Sequence, residues 1–411
     1  MVLLDALSTL AARHPFKLNA VHVNHGLSPN AEEWTGFCAR ECSTRGVALD
    51  VHRLRLERTR ANLEATARAA RYEKLRASRV DVIALAHHAD DQAETVLLQL
   101  LRGAGPRGLS AMPRFHANKP ALFRPLLGLT RATLGAYAAT RGIAWIDDES
   151  NRELRHKRNL LRQQVAPLLA ANFPGYPGTL VRAAGLQAEA CELMDALAAH
   201  DGDDAWDARG LERARLIALT PVRARNLLRW FLKRQGLRPP SQARLAEMLR
   251  QLKDAGPDAR TRIAHDGAEI GCHRGRIAVH APAAEAFSYA WQGEHEVALP
   301  GGMLLLHGAR GEGVSAAKLE QAHVTLRSRA GGEKIQIAAE RPRRALKRLL
   351  QEAGLPPWAR KGLPLLWCGD ELAAAPGIGV AVAFQAAAEE PGWVVEWRPV
   401  GSRASGPMDL D

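Results

Sequence analysis

Residues 1–90 alternate between short apolar segments and amphipathic segments, and this alternation restricts the fold more than any other feature of the chain. The apolar segments carry β-branched residues and end in polar or turn-forming residues, which is typical of buried strands. The segments between them have the period of amphipathic helices. Alternating strands and helices predict an α/β fold with a doubly wound parallel sheet. The predicted strands cover 17–25, 48–54 and 81–86, and the predicted helices cover 32–46 and 63–77.

Turn-forming residues at 172–178 and 281–285 divide the chain into parts with different patterns. A strand-like segment at 143–146 comes near the end of the first part. Residues 179–255 have an almost wholly helical pattern, whereas the last part combines Gly- and Pro-punctuated strands with one basic helix over 343–353. We expect an α/β domain over 1–171, a mainly helical middle domain over 179–283 and a small α+β domain over 290–400.

The chain has a formal net charge of +12, and many of its arginines are clustered. An excess of positive charge is expected of a protein whose partner has a phosphate backbone. The main clusters lie at 223–234 and 341–348. Each cluster is also compatible with a solvated helix face. The charge therefore favours a nucleic-acid partner without proving one.

The sequence contains no apolar stretch of the roughly 18 residues that a membrane span needs. Its start lacks the basic flank and apolar core of a signal peptide, so we expect a cytoplasmic protein with no membrane partner. The five cysteines are odd in number and mostly isolated, which favours reduced thiols. Cys38 and Cys42 are close in sequence, but no second Cys/His pair nearby completes a zinc site. No resident metal is predicted.

The segment 86–95, Ala-His-His-Ala-Asp-Asp-Gln-Ala-Glu-Thr, is the densest group of ionisable residues. It lies where a predicted strand ends and a helix begins, which is where such sheets bind ligands. His87, Asp91 and Glu94 are spaced i, i+4 and i+7, so a helix would present them along one face. Such a stripe can hold a metal-nucleotide, orient an amine or move a proton. Two alternatives are helix capping by Asp90 and Asp91 and a metallohydrolase site.

Six short motifs follow one another in the first 170 residues. They are His-Val-Asn-His-Gly-Leu at 22–27, Asn-Leu-Glu-Ala at 62–65 with Arg68 and Arg71-Tyr72, the segment 86–95, Leu-Arg-Gly-Ala-Gly at 101–105, Arg-Pro-Leu at 124–126, and Glu-Ser-Asn at 149–151 with Arg158-Asn159 and Arg162. In order and spacing these motifs resemble those of tRNA(Ile)-lysidine synthetases, a family with the Rossmann-like PP-loop fold of N-type ATP pyrophosphatases. The similarity continues at 220–225, in the family's helical middle domain, and at 326–333, 346–360 and 363–365, in its C-terminal domain.

One departure from the family concerns its phosphate-binding loop. The family's first strand leads into a Ser-Gly-Gly-x-Asp-Ser loop, and residues 1–4 resemble the segment directly after it. The loop would cradle pyrophosphate with backbone N–H groups and supply the principal magnesium ligand. It is absent from the sequence, so we expect the 411-residue chain to be inactive and its start codon to be placed too far downstream. A smaller departure is the basic segment 152–157.

The resemblance implies an ATP-dependent ligase that forms a carbon–nitrogen bond. ATP would activate the C2 oxygen of cytidine 34 in the CAU anticodon of tRNA(Ile) as an adenylate, and pyrophosphate would leave. The ε-amine of L-lysine would then attack C2 and expel AMP, which changes codon specificity from AUG to AUA. The implied partners are ATP with Mg²⁺, L-lysine and tRNA(Ile). A homodimer is one assembly that the resemblance allows.

The resemblance also implies roles for individual residues. Asp91 and Glu94 would bind the lysine amine or magnesium, and His87 would make a neighbouring polar contact or transfer a proton. Permanent cations would face phosphate or the activated intermediate. The residues with this role would be Arg158 and either Arg68 or Arg71. The adenine would lie near the backbone of Val23, Asn24 and His25.

The two later domains would grip the tRNA. The implied contacts are Arg223, Arg225, Lys347, Arg348 and Arg360, whereas Trp358 would either stack on RNA or pack internally. One rival is another PP-loop enzyme that modifies tRNA, such as a thiolase acting on cytidine. That enzyme would need paired catalytic cysteines, and no Cys-x-x-Cys occurs in the sequence. A rival of another class is a non-catalytic tRNA-binding remnant.

Overall fold

The chain folds into two compact units, Met1–Leu193 and Met194–Asp411. The computed structural model describes residues 1–54, 63–117, 119–147, 149, 157–207, 209–254 and 261–399. Within these ranges no helix is both long enough and apolar enough to cross a membrane. The division into three domains stays a prediction.

The first unit is an α/β structure whose main strand pairs are parallel. Its strands are β1 (Asn19–Asn24), β2 (Ala48–Arg53), β3 (Val82–Ala84), β4 (Phe115–His116) and β5 (Ala121–Phe123). β1 pairs in parallel with β2, and β3 pairs in parallel with β5, while β4 runs antiparallel to β5. The described strands thus form two sheets, β1-β2 and β3-β5-β4. The predicted α/β class and its parallel pairing are confirmed.

Helices precede, separate and follow these strands, and the two predicted over 32–46 and 63–77 form at Ala31–Thr44 and Leu63–Ala77. The helices are α1 (Val2–Ala11), α2 (Ala31–Thr44), α3 (Leu63–Ala77), α4 (Ala89–Leu100), α5 (Pro106–Leu109), α6 (Arg131–Thr140), α7 (Lys157–Leu160), a π turn (Leu161–Val165), α8 (Ala166–Asn172) and α9 (Tyr176–Gly202). Helix α9 begins at Tyr176, inside the segment 172–178 that the sequence predicts to be a linker.

The strand predicted at 143–146 does not form. Gly142 adopts a left-handed conformation at the end of α6, and the Ile143 N–H donates back to the carbonyl of Ala138 at 2.9 Å. This hydrogen bond is typical of the Schellman motif, in which a glycine ends the helix and an apolar residue follows it. Ile143 is buried because it packs as part of this helix end. A short apolar run has the same sequence appearance in either structure.

The second unit begins with helices around one antiparallel sheet. The helices are α10 (Arg213–Ala218), α11 (Pro221–Arg234) and α12 (Gln242–Asp254), and the strands are β6 (Trp206–Asp207), β7 (Gly210–Glu212), β8 (Arg262–His265), β9 (Ala268–His273) and β10 (Arg276–His280). The strand order is β6-β7-β10-β9-β8. Leu227, Phe231 and Leu245 form part of the core between helices and sheet. The strands β6 and β7 interrupt the predicted helical run.

The described residues of the last part of the chain form two larger antiparallel sheets, one two-stranded antiparallel sheet (Lys334–Ile335 with Arg344–Ala345) and short helices. The strands are β11 (Ser288–Ala290), β12 (Glu296–Leu299), β13 (Gly302–Arg310), β14 (Val314–Ser315), β15 (Val324–Ser328), β16 (Lys334–Ile335), β17 (Arg344–Ala345), β18 (Pro364–Cys368), β19 (Glu371–Ala375), β20 (Gly379–Val380) and β21 (Pro391–Pro399). The helices are α13 (Ala316–Glu320), α14 (Leu346–Glu352) and α15 (Pro357–Lys361). The two larger sheets follow the orders β11-β15-β18-β19-β20 and β12-β13-β21-β14. The predicted basic helix is α14, and its first residues form β17 instead.

Candidate active site

The densest ionisable segment lies between the carboxyl end of β3 and the start of α4. Helix α4 begins at Ala89, five residues after β3 ends at Ala84. The Gln92 side chain anchors the helix to the backbone of Met112. It donates to the Met112 carbonyl at 2.9 Å and accepts from the Met112 N–H at 3.1 Å. Gln92 and Glu94 are both buried. The first turn of α4 is therefore held in place against its neighbours.

Glu94 and Asp91 are held by two guanidinium groups from the segment that follows 149–156. Arg158 Nε lies 2.7 Å from Glu94 Oε2. Arg162 Nε lies 2.7 Å from Glu94 Oε1, and its Nη2 lies 3.0 Å from Glu94 Oε2 and 3.2 Å from Asp91 Oδ1. The Glu94 side chain is only 7% exposed, so these contacts compensate a carboxylate that has lost most of its water.

Asp91 also has a capping role. Its Oδ2 accepts from the backbone N–H of His88 at 3.1 Å, which is one of the donors left free before the helix begins. The capping alternative and the functional one are thus both compatible with Asp91. Asp90 instead accepts from the N–H of Arg131, at the start of α6, at 2.7 Å.

The predicted helix stripe of His87, Asp91 and Glu94 is wrong for its first member. His87 precedes α4, because His88 is the extended residue at the N-cap and helical geometry starts only at Ala89. His88 is the histidine that approaches the acids, with ring nitrogens 3.4 Å from Asp90 Oδ2 and 3.4 Å from Asp91 Oδ2. Its hydrogen bond to Asp90 lowers the pKa of that carboxyl, and the Arg131 N–H acts in the same direction. The catalytic role of His87 stays a prediction.

The second group of candidates follows β1. The Asn24 side chain is buried and fully engaged: its Nδ2 donates to Thr35 Oγ1 and Glu32 Oε1 at 3.1 and 3.0 Å, and its Oδ1 accepts from the N–H of Gly26 at 2.8 Å. Its carbonyl accepts from Leu54 at 2.8 Å. Asn24 therefore shapes the turn after β1, and the assignment of Val23 and Asn24 to the adenine site stays a prediction.

His25 and Arg71 are brought together at this turn. Arg71 Nε and Nη2 lie 3.2 and 3.1 Å from Nε2 of His25. Burial, then the charge of Arg71, lowers the pKa of His25, so its ring is neutral and Nε2 accepts. The hydrogen must then lie on Nδ1, which is buried with no hydrogen-bond partner among the described residues. The side chain of the alternative, Arg68, lies outside the described part of the chain.

Glu149 connects the turn after β1 to the segment that carries the two arginines. Its carboxylate accepts from Ser28 Oγ at 2.7 Å and from Asn30 Nδ2 at 2.8 Å. The residues in contact are separated by about 120 positions in sequence. The motif that contains Glu149 thus has a structural role, which its sequence alone did not reveal.

The predicted tRNA contacts differ in how far their side chains are buried or already engaged. Arg223 forms an ion pair with Asp201, whose side chain is fully buried. Arg225 is half-buried on α11. Arg360 donates to the carbonyl of Leu355 at 2.6 Å, and burial, assisted by Arg274 and Arg329, lowers its pKa. By contrast, Lys347 and Arg348 are exposed on α14. All five assignments stay predictions.

The ring of Trp358 packs internally, as one of its two predicted roles requires. It stacks on His280, with ring centroids 4.4 Å apart and planes 6° apart. It also covers Gly271 of β9, where a Cβ would lie 2.5 Å from its Cζ3.

The charges around Asp91 suit a monocation. Among the described residues, three carboxylates, those of Asp90, Asp91 and Glu94, adjoin two guanidinium groups, which leaves one negative charge when His88 is neutral. A metal bound by Glu94 would have to displace guanidinium donors from both of its oxygens. A protonated amine needs only one free lone pair or a bridging water.

Comparisons with known proteins agree with this architecture. Residues 1–169 match the family model of the PP-loop domain, so the fold and the site define an ATP pyrophosphatase domain of the PP-loop class, which binds ATP. Residues 211–278 match the TilS substrate binding domain, and residues 324–397 match the TilS substrate C-terminal domain. The chain belongs to the tRNA(Ile)-lysidine synthase family. The family predicted from the motifs is confirmed.

The relatives match nearly the whole chain. The tRNA(Ile)-lysidine synthase of Nitrosomonas europaea is 42% identical over 412 residues, which cover 97% of this chain and 89% of that protein. The tRNA(Ile)-lysidine synthase of Azoarcus sp. is 41% identical over 414 residues, which cover 99% and 91%. Among solved structures, the U34-tRNA thiolase NcsA from Methanococcus maripaludis has a TM-score of 0.41 and 17% identity, and covers 46% of this chain and 67% of its own. So low a similarity has no weight for function.

Proposed function

We propose that this protein uses ATP to ligate L-lysine to C2 of cytidine 34 in the CAU anticodon of tRNA(Ile). The modified anticodon would read AUA in place of AUG. One observation carries the proposal in a chain of this family: a buried carboxylate, Glu94, lies in the helix that follows the carboxyl end of β3 and is held by two arginines. Ligands of open α/β sheets bind at this end of the strands.

In the first step the C2 oxygen of the cytidine attacks the α-phosphorus of ATP, and pyrophosphate leaves. The protein must neutralise the phosphates and hold the splayed base in line. Arg71 supplies one permanent cation near the turn after β1. The Nδ1 atom of His25 is buried, so His25 would contribute to the adenine site through its backbone, as would Val23 and Asn24. Mg²⁺ would arrive with the ATP phosphates and neutralise part of their charge.

In the second step the lysine ε-amine attacks C2, the C2–O2 bond breaks, and AMP leaves with that oxygen. The amine must lose a proton to become nucleophilic. Asp91 and Glu94 would receive the incoming ammonium group, because their cluster has one uncompensated negative charge. His88 lies 3.4 Å from Asp91 and is placed to accept the proton, while His87 would assist from the adjacent position.

The partner proposed for the second unit is the body of the same tRNA. Folded RNA is recognised by its phosphates, shape and unstacked bases. Lys347 and Arg348 are exposed cations suited to phosphate contacts. We expect the reaction to take place in the cytoplasm, and a homodimer is compatible with it.

The test is incorporation of labelled lysine into a tRNA(Ile) transcript with a CAU anticodon, with and without ATP. The assay compares the 411-residue chain with a chain that includes the in-frame upstream codons, and an elongator methionine tRNA is the control. The expected result is ATP-dependent lysine transfer to tRNA(Ile) alone, by the chain that includes the upstream codons and not by the 411-residue chain. If both chains bind the tRNA and neither transfers lysine, the protein is a tRNA-binding remnant and the proposal is wrong.

A further inference from the structure

We propose that Arg162 is a positioning residue that keeps Asp91 and Glu94 in place for the lysine amine, while Arg158 is the arginine that exchanges from Glu94 to phosphate. This division of roles rests on the proposed function. The division adds to that function because it assigns two arginines of the same motif to different half-reactions.

The two arginines contact the acids in different ways. Arg162 forms a bidentate contact with Glu94, since its Nε donates to Oε1 at 2.7 Å and its Nη2 donates to Oε2 at 3.0 Å. The same Nη2 also donates to Asp91 Oδ1 at 3.2 Å. A planar guanidinium that bridges two carboxylates fixes both their rotamers and their separation. The contacts with Glu94 and Asp91 raise the pKa of Arg162 despite the opposing effect of burial.

Among the residues that the structure describes, Arg158 has a single short contact with a carboxylate. Its Nε lies 2.7 Å from Glu94 Oε2, and its Nη2 lies 3.8 Å from Asp91 Oδ1. The same Nη2 donates to the Asp91 carbonyl at 3.2 Å and to Thr95 Oγ1 at 3.4 Å. These neutral acceptors are weaker than a phosphate oxygen. When Arg158 leaves, Arg162 still contacts both oxygens of Glu94, and one lone pair on Oε2 becomes available to an ammonium group.

The backbone around Arg162 explains why this side chain is fixed. Residues Leu161–Val165 form a π turn between α7 and α8. Pro167 follows in the first turn of α8 and has no N–H to donate back to residue 163. The ordinary helical ladder is therefore interrupted here, and single π turns occur frequently at functional sites. Positions 158 and 162 are spaced i, i+4, which places both side chains on one face of a helical segment, so both can reach Glu94.

The experiment separates the two half-reactions in Arg162→Gln, Arg162→Lys and Arg158→Lys variants of the chain that includes the in-frame upstream codons, which is the parent in every comparison. Pyrophosphate release with tRNA and ATP, before lysine is added, reports activation of the cytidine. Lysine transfer over a lysine titration reports the KM for the amine. Arg250→Gln is the matched control, since it removes an exposed guanidinium from a contact with Glu247 on α12. Circular dichroism confirms that each variant is folded.

We expect Arg162→Gln to raise the KM for lysine about 10–100-fold, the effect of losing a charge-assisted hydrogen bond, with pyrophosphate release within about twofold of the parent. Arg162→Lys should raise the KM for lysine less than Arg162→Gln does, because lysine keeps the positive charge but lacks the paired donors of the guanidinium group. Arg158→Lys should reduce pyrophosphate release more than it raises the KM for lysine. If Arg162→Gln fails to fold, Arg162→Lys provides the same comparison.

Equal losses in both half-reactions for the Arg162 variants, or no change in the KM for lysine, would overturn the assignment. A parent enzyme that transfers no lysine would instead contradict the proposed function itself. The two failures are distinguishable because the first requires an active parent.

Discussion

At the scale of single residues, the buried charge of Glu94 should be the most sensitive feature of the site. Glu94→Gln keeps the shape of the side chain and removes the charge that two arginines share. Breaking a buried ion pair costs about 3–5 kcal/mol, and the cost here should lie near the lower limit because both guanidinium groups are partly solvated. Urea unfolding measures the stability. Glu149→Gln, which keeps an acceptor for Ser28 and Asn30, is the control and should change stability by less than about 1 kcal/mol.

His25 should titrate below the ordinary range of histidine because of burial and Arg71. Its folded pKa is lowered, so the stability contributed by the neutral ring is complete above the unfolded pKa and is lost as the pH falls through the folded one. Arg71→Gln should raise the pKa of His25 without returning it to its ordinary value, since burial remains. NMR titration of the His25 ring in the parent and the variant measures this. A lower pKa in Arg71→Gln would show that the contact does not form.

At the scale of helices and strands, Gly271 determines how α15 packs on β9. The ring of Trp358 occupies the space where a Cβ at position 271 would lie. Gly271→Ala should therefore destabilise the second unit by about 1–3 kcal/mol through overpacking. Gly185→Ala, in the exposed middle of α9 with open space around it, should instead stabilise by about 0.5–1 kcal/mol. Thermal unfolding measures both, and a neutral Gly271→Ala would mean that the ring can move away.

The elements that the sequence predicted well are those with a long periodic pattern. Helix α3 occupies the predicted range 63–77, and β2 differs from its predicted range by one residue. The strand predicted at 143–146 was wrong, because a run of four apolar residues looks the same in a strand and in the hydrogen-bonded end of a helix. The start of α4 was placed too early, because the capping bond from His88 to Asp91 depends on backbone geometry. The sequence analysis therefore did not single out His88, whose ring nitrogens lie 3.4 Å from Asp90 and Asp91.

At the scale of the whole molecule, net charge indicated a class of partner and could not identify the contacts. Arg223 is predicted from a basic cluster, but its guanidinium is bound to Asp201, which lies 22 positions away and is fully buried. No pattern in the sequence connects these two residues. Similarly, the spacing within 86–95 indicated Asp91 and Glu94, but only the fold brings Arg158 and Arg162 to them from more than 60 positions away. Long-range pairing of this kind depends on tertiary structure.

The difference between exposed cations and cations that are already ion-paired predicts how salt should affect tRNA binding. Each lysine or arginine that contacts a phosphate releases counterions, so the slope of log affinity against log salt should fall in magnitude by about 1 for each contact removed. Lys347→Gln and Arg348→Gln should each reduce the slope and leave the unfolding free energy almost unchanged, because both side chains are exposed. Arg223→Gln should lower stability and keep the slope, because its charge is already paired with Asp201. Filter binding over a salt series distinguishes these results. A reduced slope for Arg223→Gln with unchanged slopes for the two α14 variants would reverse the assignment, placing the phosphate contacts on α11 and leaving α14 as a solvated helix face.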